Sequence, residues 1–306
     1  MIKIIFGLCI FGIVLFIYLH VLFHLKQSND LEIYELEDMS KDKLEEVCDI
    51  RQPFIFNINE KQLTEHINYT HILNNYASYE IKVRNSNDND NSSDVHIPIS
   101  LEHAAKLFNE DKKSEYFSEK NDEFLRETGI NNKIKRHDEF LKPYMSLNSK
   151  YDILFGSKNS FTPFKYEINY RNYIYLTEGS AEIKLAPPCS IKYLSPEHDY
   201  DLFEFKSPIN PWNPAAEYQN DFNKVKCINY TLSADKILFI PAYWWYSIKF
   251  NEPNTSISCF YYGTYMSNIS VLPHYLLYAL QLQNIKRKII KNINNDNNSG
   301  TTLDIK

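Results

Sequence analysis

The chain has 306 residues, 43% of them hydrophobic and 15% aromatic, enough for a sizeable core in one large domain or two small ones. Its net charge of −6 argues against a general nucleic-acid binder, which is usually basic. The five cysteines form no CxxC pair and carry no zinc spacing, and no Gly-rich phosphate loop or Gly-x-Ser-x-Gly turn is present.

The first element is apolar. Ile4 to Leu19 reads IIFGLCIFGIVLFIYL without a charge, and the apolar character continues through Leu25 before Lys26. About 20 such residues suffice to cross a bilayer as a helix. A cleaved signal has a shorter apolar core, about 7–15 residues, and a small-x-small site that is missing here. The expectation is an uncleaved signal anchor over residues 1–25, with a cleaved signal and a buried helix as alternatives. Lys3 precedes the segment, and Lys26 is followed by Asp30, Glu32 and Glu35. This charge bias favours a cytosolic tip and a soluble domain in a lumen or outside the cell. Asn-x-Ser/Thr sequons begin at Asn68, Asn91, Asn229, Asn254, Asn268 and Asn297, but in an Asn-rich chain they add little.

A juxtamembrane segment over 26–43 leads to a short helix capped by Ser40, with Leu44 and Val47 on its apolar side. Arg51-Gln-Pro ends it, and Phe54 to Ile58 alternates as a strand. Asn85 to Asp94 is a polar tract with nothing to bury, expected to be a solvated loop. Ile99 to Phe108 is expected to be helical, with Leu101, Ala104, Ala105 and Phe108 on one face. Lys112 to His137 is highly charged and expected to be mixed helix and loop with a wet face. From Tyr151 the texture changes to short runs of Tyr, Ile, Phe and Val. Asn172–Leu176 and Ala181–Leu185 flank Thr-Glu-Gly-Ser and predict a hairpin; Val225–Leu232 precedes Lys236–Ile240, and Trp245–Phe250 precedes Thr255–Tyr262. Such spacing predicts an antiparallel sandwich or barrel. Residues 273–293 predict an amphipathic helix with Leu276, Leu277, Leu280 and Ile285 apolar. Lys286, Arg287, Lys288 and Lys291 near its end suit the helix dipole or an anionic membrane. A polar tail, expected to be disordered, occupies 294–306.

Four stretches together resemble the cupin-like JmjC family, the double-stranded β-helix 2-oxoglutarate/Fe(II) oxygenases. RQPFIFNI (51–58) is similar to the strand by which that family enters its barrel. FTPFKYEINYRNYIYLTEGSAEIKLAPP (161–188) follows its Thr-Pro-Leu-His-x-Asp block, SPINPWNP (207–214) its Asn-Pro loop, and TLSADKILFIPAYWWYSI (231–248) its Gly-Trp-Trp-His block. The resemblance runs from about Leu44 to Tyr265. It implies an all-β core with helical additions, a double-stranded β-helix (cupin or jelly roll) over 44–272, preceded by one transmembrane helix.

The residues that would carry oxygenase chemistry depart from the pattern. The class holds Fe(II) with two His and one carboxylate on one face. The resemblance aligns those positions with Lys165, Glu167 and Tyr246, and the family's 2-oxoglutarate lysine with Ala181 or a neighbour. Ammonium offers no lone pair, and a phenol must ionise from a reference pKa near 10 to ligate. Glu167 alone is a competent ligand, so no cofactor is expected; activity would require Fe(II) and 2-oxoglutarate. Lys165 and Glu167 are i and i+2 on a strand, which predicts an internal ion pair with Tyr246 bonding either member. Thr162, Tyr166, Asn172, Tyr243, Trp244 and Trp245 are the expected pocket lining, with the Tyr243 ring near the mouth. His198-Asp199-Tyr200-Asp201, next to Glu197, is expected to be a surface loop.

The leading expectation is therefore a membrane-anchored cupin-like protein without oxygenase activity, a binding or structural module for an unknown protein or small polar ligand. The alternative is an active protein hydroxylase with atypical ligands. A third reading is homodimer formation through the C-terminal helix. Anchored proteins with degenerate cupin-like domains resemble products of large DNA viruses, which implies a virion or a host internal membrane.

Overall fold

The computed structural model describes residues 2–58, 61–86 and 96–284. Most of the Asn85–Asp94 tract, the end of the C-terminal helix and the tail lie outside these residues. The helices are α1 (Ile2–Leu25), α2 (Lys41–Asp49), α3 (Lys61–Ile67), α4 (Tyr69–Tyr76), α5 (Leu101–Glu110), α6 (Asp122–Glu127), α7 (Ile130–His137), α8 (Gln219–Phe222) and α9 (Tyr265–Ser270), followed by helical residues 272–284. The early strands are β1 (Tyr34–Leu36), β2 (Phe54–Asn57), β3 (Glu80–Asn85), β4 (Ile97–Ser100), β5 (Tyr116–Ser118), β6 (Ser146–Gly156), β7 (Phe164–Tyr166) and β8 (Arg171–Glu178). The later ones are β9 (Ser180–Ala186), β10 (Glu197–Asp199), β11 (Glu204–Ser207), β12 (Ile228–Ser233), β13 (Lys236–Ile240), β14 (Trp245–Phe250) and β15 (Ser256–Thr264).

Local signals act where the sequence places them. The Ser40 hydroxyl accepts from the Lys43 amide at 3.3 Å and starts α2. Leu101, Ala104, Ala105 and Phe108 are the buried face of α5. The strands form a nine-stranded sheet, β1-β2-β13-β8-β15-β6-β5-β3-β4, and a six-stranded one, β10-β11-β7-β14-β9-β12. The two sheets with their helices are consistent with a cupin fold.

The predicted hairpin at Thr-Glu-Gly-Ser is not one. β8 pairs with β13 and β15 in the larger sheet, whereas β9 pairs with β12 and β14 in the smaller. The β12–β13 and β14–β15 connections also pass from one sheet to the other. A turn between two apolar runs looks the same in sequence whether the strands pair or turn a corner. β8 is buried at seven consecutive positions, Arg171 to Thr177, because both faces of its sheet are covered. Gly179 makes the β8–β9 corner with φ +83°, and a Cβ there would lie 2.5 Å from Thr255 Oγ1 and 2.9 Å from Thr255 Cα. Gly179→Ala is therefore expected to destabilise the domain by about 1–3 kcal/mol, read as a lowered thermal midpoint.

Three apolar layers follow from this topology. Helices α2 to α7 cover the outer face of the large sheet around Phe56, Phe108, Phe155, Tyr173 and Tyr262. A second cluster, including Ile174, Leu185, Trp244, Tyr246 and Ile257, fills the space between the sheets. A third, with Phe164, Tyr166, Phe205 and Trp245, lies outside the small sheet and is capped by Val271 and Tyr275. The charged stretch Lys112–His137 is not simply a wet face. It buries Phe124, Leu125, Ile130 and Ile134 in the first layer and sends Glu119 into the interior at 0% exposure. The five cysteines are unpaired; Cys48 and Cys259 are buried, Cys227 is half-buried, and Cys9 and Cys189 are exposed.

Candidate functional site

The site lies where β7 and β14 meet, with Tyr246 opposite Lys165 and Trp245 opposite Tyr166 in antiparallel register. Strand alternation sends Phe164, Tyr166 and Trp245 to the outer cluster and Tyr246 to the interior one. Lys165 points the other way from Tyr166 and is 7% exposed.

Its partner is not Glu167. Lys165 Nζ donates to Glu119 Oε2 at 2.8 Å, and Arg84 Nη1 donates to Glu119 Oε1 at 2.6 Å. Arg84 Nη1 also lies 3.5 Å from Glu204 Oε1, and Lys120 Nζ 3.4 Å from Glu204 Oε2. Glu119 stands on a turn after β5 that Asp152 clasps, its carboxylate accepting from the Lys120 and Asn121 amides, both at 2.7 Å. Burial opposes ionisation of Glu119, yet Lys165 and Arg84 hold its carboxyl well below the usual carboxylate range. Burial likewise opposes the charge on Lys165, but Glu119 keeps its ammonium well above the ordinary lysine value.

Glu167 takes the second partner expected for it. Tyr246 Oη donates to Glu167 Oε1 at 3.3 Å. Burial raises the Glu167 carboxyl above its ordinary value and the Tyr246 hydroxyl well above its own. The predicted Lys165–Glu167 pair fails because β7 ends at Tyr166. Glu167 lies past the strand, where i, i+2 alternation no longer sets direction, and a carboxylate from a distant segment reaches Lys165 instead.

The remaining predicted residues divide between the two sides of the sheet. Trp244 is fully buried in the interior cluster. Thr162 clamps β14, its Oγ1 accepting from the Ile248 amide at 3.0 Å and its carbonyl from Ser247 Oγ at 2.6 Å. Asn172 Nδ2 donates to the Ile240 carbonyl at 3.0 Å. Tyr166, Tyr243 and Trp245 do not line the interior: they pack in the outer cluster, with the Tyr166 and Tyr243 rings 6.0 Å apart. Tyr243 keeps the left-handed conformation, φ 67°, that a glycine would favour, and its amide donates to the Glu167 carbonyl at 2.9 Å. Its ring thus turns away from the barrel mouth. Lys184 Nζ donates to the Pro211 carbonyl at 2.9 Å and lies over the Trp212 ring, tying down the Asn-Pro loop. His198 is on β10 rather than in a loop, 3.2 Å from the Tyr166 hydroxyl.

This donor set does not fit ferrous iron. Lys165 Nζ is an ammonium committed to Glu119, whose carboxylate is taken up by Lys165 and Arg84, and Tyr246 holds its proton and directs it at Glu167. Among the described residues, no group of three or more His, Cys, Asp or Glu is placed to hold a metal ion. Sequence reasoning missed Glu119, Arg84, Lys120 and Glu204. Their one signal was indirect: a lysine inside a barrel requires a counter-charge from somewhere.

Two sheets enclosing an apolar interior, with the strands that carry Lys165 and Tyr246 side by side, define a cupin-like protein, and the chain belongs to the cupin-like domain family, which matches residues 27–267. It is also similar to HSPB1-associated protein 1, a JmjC-domain protein, from human, mouse and cattle. The identity is 29% over 101 residues, 33% of this chain and 21% of each of those proteins. The match thus spans about a fifth of the length of these relatives. The N-terminal helix α1 is long and apolar enough to span a membrane, or is a signal sequence.

Proposed function

We propose that this protein is a cupin-like module held at a membrane by α1, its soluble domain lumenal or exterior, and that it binds or scaffolds rather than oxidises. The observation that carries the reading is the Lys165–Glu119 ion pair at 2.8 Å, which puts a neutralised cation where a ferrous ligand would stand. Evolution of an oxygenase barrel toward such a centre exchanges metal-dependent order for electrostatic order, leaving the fold as the functional asset. The partner proposed is a small polar ligand or a peptide segment of another protein, met on the domain's surface, since apolar side chains fill the space between the sheets.

The discriminating measurement is elemental analysis of the full chain purified without chelators or nickel resin. It is paired with thermal melts in the presence of Fe(II) and 2-oxoglutarate. The expected result is substoichiometric iron, no shift of the melting point and no succinate release. One iron per chain that disappears in Glu167→Ala, with succinate formed, returns the protein to the hydroxylases with atypical ligands.

A further inference from the structure

The junction of α1 with the domain is built rather than loose. α1 packs against α9. The Arg51 guanidinium lies 5.3 Å from the Phe23 ring and 4.8 Å from that of Tyr170, and the His24 ring meets Tyr170 edge-on at 5.0 Å. Between them opens a cleft of about 540 Å³, lined from α1 by Phe16, Leu19 and Phe23 and from the domain by Tyr144, Met145 and Tyr265, among others. The domain's contribution is unusually apolar for a surface: Tyr144, Met145 and Tyr265 are 61%, 78% and 53% exposed.

Length decides what surrounds this cleft. α1 has 24 residues. A hydrocarbon core near 30 Å takes about 20 of them, so about four can stand outside it. Phe16 lies nine residues before the helix end at Leu25. With about 1.5 Å of rise per residue, Phe16 then sits several ångströms or more beneath the hydrocarbon boundary. Leu19 and Phe23 lie successively nearer the boundary, so the domain side chains that share the cleft with all three are carried down to the boundary region. We infer that the domain does not stand off on a tether: the face bearing Tyr144, Met145 and Tyr265 is immersed in the bilayer's interfacial layer, and the cleft takes a phospholipid acyl chain. This inference rests on the reading of α1 as an uncleaved anchor. Tyrosines at that depth match the amphipathic belt that aromatic residues form at membrane boundaries, and the lining, mostly apolar with His20, His24 and Glu45 among it, offers an acyl chain what water cannot.

The test uses the full chain in phosphatidylcholine vesicles whose acyl chains are brominated or not. Tyr144→Trp and Met145→Trp each add one indole at an exposed position, and Phe16→Trp adds one on the anchor. Of the three native tryptophans, Trp244 and Trp245 are buried and Trp212 is half-buried, so the unsubstituted chain, measured in both lipids, gives the baseline to subtract. The expected result is at least twofold quenching of the added signal by brominated lipid for all three variants. Quenching of Phe16→Trp alone overturns the immersed face and leaves the anchor intact. Loss of quenching at Phe16, or recovery of a chain lacking residues 1–25, overturns the anchor and the inference with it. Shielding at position 144 that grows with protein-to-lipid ratio assigns the face to a second copy of the chain and also overturns it.

Discussion

Glu119→Gln is expected to lower the stability of the domain by about 3–5 kcal/mol near neutral pH, because it removes the counter-charge that Lys165 and Arg84 share; Arg84 keeps Glu204 at 3.5 Å, so Lys165 is the cation most exposed to the loss. For a domain of this size that is a fall in melting temperature on the order of 10 °C. Lys165→Met in the same chain should recover part of the loss, since it removes one stranded cation, and the two substitutions should be clearly non-additive in a double-mutant cycle. The pH dependence has a definite sign. The Glu119 carboxyl is depressed below its unfolded value of 4.5, so its contribution is complete above that pH and is lost as pH falls below it. Thermal melts of wild type and Glu119→Gln should therefore converge on acidification from pH 5 towards pH 3. A gap that is absent at pH 7, or that widens in acid, would contradict the ion-pair centre.

The second large effect concerns attachment. Phe11→Arg with Val14→Arg places two guanidinium groups near the middle of α1, where each costs about 2.5–3.5 kcal/mol on an insertion scale. Together they outweigh the apolar contribution of many neighbours. The wild-type chain is expected to stay with membranes through alkaline carbonate extraction, and the doubly substituted chain to move to the supernatant. Intact mass of the extracted wild type adds the remaining discrimination: a product beginning after Leu25 identifies a cleaved signal, and retention of the Arg variant in the pellet shows that α1 is not what holds the chain there.

How much of this was legible beforehand differs by residue. The helix expected over Ile99–Phe108, the Ser40 cap and the strand after Arg51-Gln-Pro follow from periodicity and local chemistry and stand in the structure, except that Ile99 and Ser100 end strand β4 and the helix starts at Leu101. The corner at Gly179 was misread because a turn signal carries no information on which sheet receives the next strand. Tyr243 was placed at the barrel mouth because the resemblance aligns it with a glycine there, whereas its ring packs in the outer cluster from a left-handed backbone. Glu119 was hidden in a charged run whose average character is that of a solvated surface, and a single buried carboxylate does not change that average.

By itself, the sequence determined the apolar N-terminal helix, the rhythm of short strands and the presence of an amine and a phenol, Lys165 and Tyr246, in the two stretches that resemble the family's ligand-bearing blocks. These are properties of neighbours along the chain: hydropathy over one segment, alternation within one strand, the donor chemistry of one side chain. Only the tertiary structure decided that Lys165 answers to Glu119, 46 residues away, and that Tyr246 answers to Glu167, 79 residues away. The reason is electrostatic. Inside a barrel of low polarity a charge must be met within about 3 Å, and which residue meets it depends on how strands and turns from distant segments converge.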